Sequence, residues 1–394
     1  MAEMSRLELP MDENDWPFVK SIPYEELVAS PEKAQAMLHD FGCCVISGVV
    51  APSQCKVLRQ DMWQYLERRH EGFRRTDPAT WTCWKGGNYG MSGRTPVVTP
   101  PFLALRQSEK LVKCFAAALQ VDSSGDLIAS HDRWLLYRKT EAGGSHMFRT
   151  VRNIHMDLNP WEYLDNDTRV QEDLSALRYN ESSRNDFAAE LNNVVGGEYA
   201  ATRGMHGEPP KSVQGLVNLM DNRPEDGGTL VVPWCPATQF APWVAAQPTK
   251  QRVRGAMQFK IEEDAPLQGQ AQRVPMRAGS VLIFDGRTVH GAAPNRSDRC
   301  RFGVPVTYLR RSEVVCHAQR AQERACAVEN MITASGFEAE LSALGVRVFG
   351  LDVPGAKRAR ASANTTTTTN QKEAEMMQVA SAMSTEKRDR DGDK

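Results

Sequence analysis

Between residues 130 and 310 the chain is cut into apolar segments too short for free-standing helices. WLLYRK (134–139), VRNIHM (151–156), VQGLVNLM (213–220), GTLVVP (228–233), SVLIFD (280–285) and CRFGVPVTYL (300–309) are rich in β-branched and aromatic residues. AGG, EDGG, RAGS and DGR turn signals bound them. Segments of this kind bury their apolar faces by pairing into sheets. Several short strands joined by turns predict an antiparallel barrel or jelly roll. The expected fold class is mostly β: a double-stranded β-helix (jelly-roll, cupin-like) core with N-terminal and C-terminal helices.

The flanks read differently. SPEKAQAMLHDFG predicts a helix with Ser30 as N-cap, Pro31 at the first helical position and Gly42 closing it. CVISGVV (44–50) follows as a buried strand. Ser53 is the expected cap of a second helix, with Val57, Leu58, Met62, Tyr65 and Leu66 at helical spacing. Residues 102–120 predict a third helix, and 312–345 return to helix. The polar, partly helical stretch 165–212 reads as an insertion between two strands, either a lid or a solvated embellishment. The organisation expected is an N-terminal arm (1–24), one domain (25–350) carrying that insertion, and a disordered tail (355–394) with a threonine run and few large apolar residues.

Composition bounds the function. The chain has 394 residues, 41% hydrophobic and 25% charged, with a formal net charge of −1. These values are those of an ordinary globular protein, and they give no general attraction for nucleic acid or anionic membranes. No apolar run is long enough to span a bilayer. The acidic, mixed start MAEMSRLELPMDENDWPF has no signal-peptide h-region. The nine cysteines form no CxxC and read as reduced packing thiols. A cytoplasmic location is expected. KRAR (357–360) reads either as a nuclear-import patch or as a solvated charge run.

The chemistry concentrates in VRNIHMDLNPW (151–161). A buried charge is costly unless it is paired or bound to a metal. Strand residues two apart share a face, so His155 and Asp157 would point together while Met156 faces away. GSVLIFDGRTVHG then delivers His290 just past another apolar run. Two histidines and one carboxylate make the facial triad of non-haem Fe(II) oxygenases, which leaves open positions on the metal. Arg301 follows on the next strand, and its guanidinium fork matches a carboxylate in two parallel hydrogen bonds. Arg299 shares Arg301's face, so spacing alone leaves both open.

These residues carry a resemblance. The order HxD strand, long gap, EDGGTLVVP, GSVLIFDGRTVHG, NRSDRCR is similar to the phytanoyl-CoA dioxygenase-like group of Fe(II)/2-oxoglutarate oxygenases. FGCCVISGVVAPSQCKVLRQDM and SHDRWLLYRK extend it, so it spans roughly residues 25–310. The resemblance implies a dioxygenase using Fe(II), 2-oxoglutarate and O₂ on a small-molecule or lipid-like substrate. It implies His155, Asp157 and His290 as metal ligands and Arg301 as anchor of the 2-oxoglutarate C5 carboxylate. Tyr137 is either a second cosubstrate contact or a structural tyrosine. Asn295 and Ser297 are expected to shape a turn. Trp161, Trp234 and Trp243 read either as pocket wall or as core.

Several features depart from the family. The position two after the distal histidine, often a hydroxyl residue beside the arginine, is Ala292. PGSH stands here as PWCP (233–236), which changes the substrate wall. Asp157, where related halogenases carry a small residue, favours hydroxylation or another oxidative outcome over halogenation. Two other readings share the fold: a non-catalytic binding module, and a cupin-type metal isomerase or epimerase that needs no Arg301.

Overall fold

The computed structural model describes residues 7–84, 90, 92, 96–122, 126–140, 152–156, 213–246, 259–261, 265–311, 318–334 and 341–353. The expected insertion at 165–212 and tail at 355–394 lie outside them, as do Asp157 and Trp161.

The first third supplies most of the helices. Strand β1 (Ile22–Pro23) leads into α1 (Tyr24–Ala29) and α2 (Glu32–Phe41). Then come β2 (Cys43–Ser47), α3 (Pro52–Arg69), α4 (Pro100–Arg106) and α5 (Glu109–Leu119). Gly42 ends α2 as expected, at φ 72°, its N–H bonded to the Leu38 carbonyl. Both predicted serine caps are corrected. Ser30 closes α1 by donating to Glu26, so Pro31 stands at the N-cap of α2. Ala51 precedes α3, and Pro52, with its preset φ, takes the first helical position, leaving Ser53 inside the turn. The expected helix at 102–120 is two helices. It breaks at Gln107, whose side-chain oxygen accepts from the Ser342 N–H at 2.7 Å and hydroxyl at 2.9 Å.

The rest is sheet-rich: β3 (Leu127–Ala129), β4 (Leu135–Tyr137), β5 (Asn153–Met156), β6 (Val213–Asn218) and β7 (Gly228–Val231), then α6 (Pro236–Ala245) and β8 (Phe259–Lys260). After these come α7 (Pro266–Gln270), β9 (Gln272–Arg273), β10 (Val281–Asp285), β11 (His290–Ala293) and β12 (Arg301–Arg310). Helices α8 (Ala318–Ala334) and α9 (Ala343–Val348) follow. Two sheets result. The larger runs β1-β2-β10-β6-β12-β3, with β4 also on β12; the smaller runs β8-β5-β11-β7-β9. Apart from the parallel β1–β2 pair, the named pairs are antiparallel. From β5 onward the chain steps repeatedly between sheets, so β10, β11 and β12 alternate large, small, large.

Helices cover the larger sheet. Helix α5 packs across β6, β10 and β12, with the Phe115 and Tyr308 rings 4.7 Å apart. The buried Tyr308 hydroxyl donates to the Arg106 carbonyl at 2.6 Å, as a buried hydroxyl must. The smaller sheet buries Ile154, Met156, Leu230, Val232 and Trp234 beneath Phe240 of α6. Trp234 is fully buried and Trp243 packs against the same cluster, so both serve this core. Buried Arg324 of α8 donates to the carbonyls of Phe349 and Ala129, both at 2.6 Å, pinning the C-terminal helices to β3. The eight described cysteines are free. Among the described residues no helix is long and apolar enough to cross a membrane.

His131, buried beneath this C-terminal layer, packs against Phe349 with ring centroids 4.8 Å apart and the rings tilted by 59°. Burial, reinforced by the nearby Arg324 and Arg106 guanidinium groups, holds its pKa well below the ordinary imidazole value of 6.5. The unfolded chain therefore takes up a proton below about pH 6.5 that the folded chain refuses. Stability is unaffected by His131 above that pH and falls as pH drops below it. Replacing His131→Phe should make the loss between pH 6.5 and 5 shallower by up to about 1.4 kcal/mol per pH unit. Urea unfolding at several pH values measures this; an unchanged slope would refute it.

Candidate active site between the sheets

Strand β11 lies between β5 and β7, and its register places His290 directly opposite His155. The two imidazole rings have centroids 4.7 Å apart at an interplanar angle of 56°. Alternation along β5 holds: Met156 is buried in the outer cluster while His155 is on the other face. The pairing is close because residue 291 is glycine. A β-carbon there would stand 1.7 Å from the Asn153 carbonyl oxygen. Asn153 adds a side-chain bond, its Oδ1 accepting from the Ala292 N–H at 3.1 Å.

His290 is oriented from behind. Its Nδ1 lies 3.0 Å from the Thr288 carbonyl, so the ring proton belongs on Nδ1 and Nε2 keeps its lone pair. The Thr288 hydroxyl donates to the Gly42 carbonyl at 2.9 Å, and the same carbonyl accepts from the Asp285 N–H at 2.8 Å. A chain of hydrogen bonds thus joins the end of α2 to the distal histidine. Buried Asp285 and Arg287 brace the turn through a two-point ion pair at 2.9 and 2.7 Å. Phe284 of the larger sheet places its ring 4.5 Å from that of His290.

The larger sheet contributes Arg301. It opposes Tyr137 in the β12–β4 register, and its guanidinium carbon lies 5.1 Å from the Tyr137 ring centroid. It is 5% exposed, donates to the Thr229 hydroxyl of the smaller sheet at 3.0 Å, and leaves Nε buried without a hydrogen-bond partner among the described residues. Burial pulls its pKa below the ordinary guanidinium value; Tyr137 and Asp226 oppose the shift. No carboxylate among the described residues lies within ion-pairing distance of it. Arg299 points elsewhere, donating to the Asp221 carbonyl at 2.7 Å beside Asp226. Asn295 shapes the intervening turn, bonding Tyr137, Arg299 and Ser297, as its position in NRSDR suggested.

Thr229 was not singled out by sequence. It is the cross-strand partner of Ala292, the position where a hydroxyl was missing. The signal lay in the register: a hydroxyl lost from β11 is placed on β7, one strand over. Two facing imidazoles and a buried, counter-ion-poor guanidinium therefore line the gap between the sheets. Such a set suits a metal ion beside a carboxylate ligand. Of the expected site residues, His155, His290, Arg301 and Tyr137 are placed around this gap, and Asp157 lies outside the described residues.

The tether to α2 can be tested. Gly42 needs φ 72°, and a β-carbon would stand 2.4 Å from the Thr288 hydroxyl. Gly42→Ala should cost roughly 1–3 kcal/mol in urea unfolding. Thr288→Ala in the same chain should recover part of that loss. Simple additivity of the two costs would show that the contact is not the cause.

The chain matches the family model described as phytanoyl-CoA dioxygenase over residues 198–303, a span that includes Thr229, His290 and Arg301. A Dictyostelium discoideum protein named "Putative phytanoyl-CoA dioxygenase" is 26% identical over 298 residues, which is 74% of this chain and 78% of that one. Two solved structures share the fold. The "Putative Oxidoreductase from Salmonella typhimurium LT2" is 18% identical, with a TM-score of 0.52 over 84% of this chain and 85% of that chain. "GlcNAc Inducible Gene 2" of Candida albicans is 11% identical, with a TM-score of 0.54 over 79% and 70%. The family match falls on the strands that carry the distal histidine and the buried arginine, and with the Dictyostelium relative it makes this chain similar to the phytanoyl-CoA dioxygenase-like family.

Proposed function

We propose that the protein is an Fe(II)- and 2-oxoglutarate-dependent dioxygenase that hydroxylates a C–H bond of a small-molecule or lipid-like substrate. The stepping of the chain between its two sheets is the order of a double-stranded β-helix, which supports that core for this chain. When bound, iron with 2-oxoglutarate and O₂ supplies the oxidising power, with succinate and CO₂ as the cosubstrate's products.

The observation that carries the reading is Arg301. A buried cation without a carboxylate partner is costly, and an anionic ligand removes that cost. The distal carboxylate of 2-oxoglutarate fits that position, held by the guanidinium and by the Thr229 hydroxyl beside it. Tyr137 flanks the guanidinium and limits water there. His155 and His290 would hold the metal through facing nitrogens, with Asp157 as the third ligand, lowering the net charge of the centre. The Thr288 carbonyl keeps the proton on His290 Nδ1, so Nε2 needs no reorganisation to bind. The small residue at position 292 leaves room that the Thr229 hydroxyl serves from the next strand.

Anaerobic addition of Fe(II) and then 2-oxoglutarate should give a visible metal-to-ligand charge-transfer band. Asp157→Ala, His155→Ala and His290→Ala should abolish Fe(II)-dependent succinate release; full activity in Asp157→Ala would sink the assignment. Arg301→Ala should raise the 2-oxoglutarate concentration for half-saturation by about 10–100-fold, and Thr229→Val by about 3–10-fold. A large effect from Arg299→Ala with none from Arg301→Ala would reverse the choice of arginine. Iron binding without the band would favour metal isomerase chemistry.

A further inference from the structure

A second cluster of reactive groups stands apart from the gap between the sheets. Cys235 lies in PWCP, after β7, at the start of α6. Its carbonyl accepts from the Gln239 N–H at 2.9 Å, and its own N–H donates to the Gln239 side-chain oxygen at 2.7 Å. His39, in the last turn of α2, places Nε2 at 4.0 Å from the Cys235 sulfur. Its Nδ1 lies 2.8 Å from an Asp40 carboxylate oxygen. The imidazole thus has the carboxylate on one ring nitrogen and the thiol near the other. The carboxylate holds the ring proton on Nδ1, which turns the Nε2 lone pair to the thiol. Helix α6 carries no acidic or basic residue.

The other described cysteines differ. Cys43, Cys44, Cys55 and Cys114 are buried, and Cys300 is mostly so; desolvation pushes Cys43 up to about 12 and Cys55 and Cys300 to about 11. Cys83 and Cys326 are more accessible, but neither has an imidazole partner among the described residues.

We propose that Cys235 is a modification site: a reactive thiol, with His39 as its general base, that small hydroperoxides oxidise to a sulfenic acid. Flanking Trp234 and Pro236 are buried and leave the sulfur half-covered, an approach suited to a small oxidant rather than a protein disulfide. His39 Nε2 takes the thiol proton. The sulfur attacks one peroxide oxygen and the O–O bond breaks. Sulfur gives up two electrons and becomes S–OH. The departing hydroxide takes the proton back from His39 and leaves as water, or as an alcohol from an alkyl hydroperoxide.

The test uses the full chain at pH 7 with a metal chelator, hydrogen peroxide as probe and a cyclic 1,3-dione as sulfenic-acid trap, mapped by peptide mass spectrometry. Cys235 should be trapped at least about tenfold faster than Cys326 in the same molecules. His39→Ala, at an exposed position, should bring Cys235 down to the Cys326 rate, and added imidazole should restore it. Equal rates at Cys235 and Cys326 in the native chain would overturn the proposal. So would a His39→Ala chain that reacts normally, or a slowed one that imidazole does not rescue. The chelated site between the sheets takes no part, so this outcome is independent of the iron assignment.

Discussion

The pairing of β11 with its two neighbours is the constraint on which the site depends. Side chains alternate faces with a period of two, so a slip of one residue would send His290 to the outer core and draw Gly291 inward. The register is held from several directions. Gly291 lets the backbones meet, Asn153 adds a side-chain bond across the pair, and β7 fixes the opposite edge. Because His155 and Thr229 sit on the two strands flanking β11, one ladder sets three positions at once. The turn before β11 is held just as firmly, by the Asp285–Arg287 ion pair and by Thr288 on the end of α2. The end of α2 therefore helps to set the orientation of His290 through Thr288.

Electrostatics gives the second half of the arrangement. The interior of a protein solvates an arginine poorly, and natural cores pair such groups. Buried Arg106 and Arg324 follow the rule through backbone carbonyls: Arg106 donates to Asp132 at 3.0 Å, and Arg324 to Ala129 and Phe349 at 2.6 Å. Arg301 does not. Its partners among the described residues are a neutral hydroxyl and an aromatic face. Within the function proposed above, the contrast separates an arginine that staples structure from one that would hold an anion. It also explains why Arg299, two residues earlier, is a weaker candidate: it has a backbone acceptor and a carboxylate nearby.

Much of this was legible in the sequence, for reasons of range. The strands announced themselves through β-branched runs and turns, which are local properties, and the opposite faces of His155 and Met156 through the pleat, which is local too. The turn at Asn295 followed from the habit of asparagine to bond its own backbone. What escaped depended on contacts between distant segments. The two-residue strands β8 and β9 have no pattern of their own and exist through their partners. The break at Gln107 answers to Ser342, more than two hundred residues away. Ser30 and Ser53 fit a cap by type, but the adjacent prolines decided where each helix began. The Thr288 carbonyl behind His290 is a backbone group, which no residue type could have marked.

Thr229 shows how a departure from a family pattern is best read. Taken along the chain, alanine at position 292 is a lost hydrogen bond. Taken across the sheet, the loss is not a loss, because Thr229 stands opposite and reaches the same arginine. The hydroxyl requirement belongs to a point in space, and any strand whose side chain ends there can meet it.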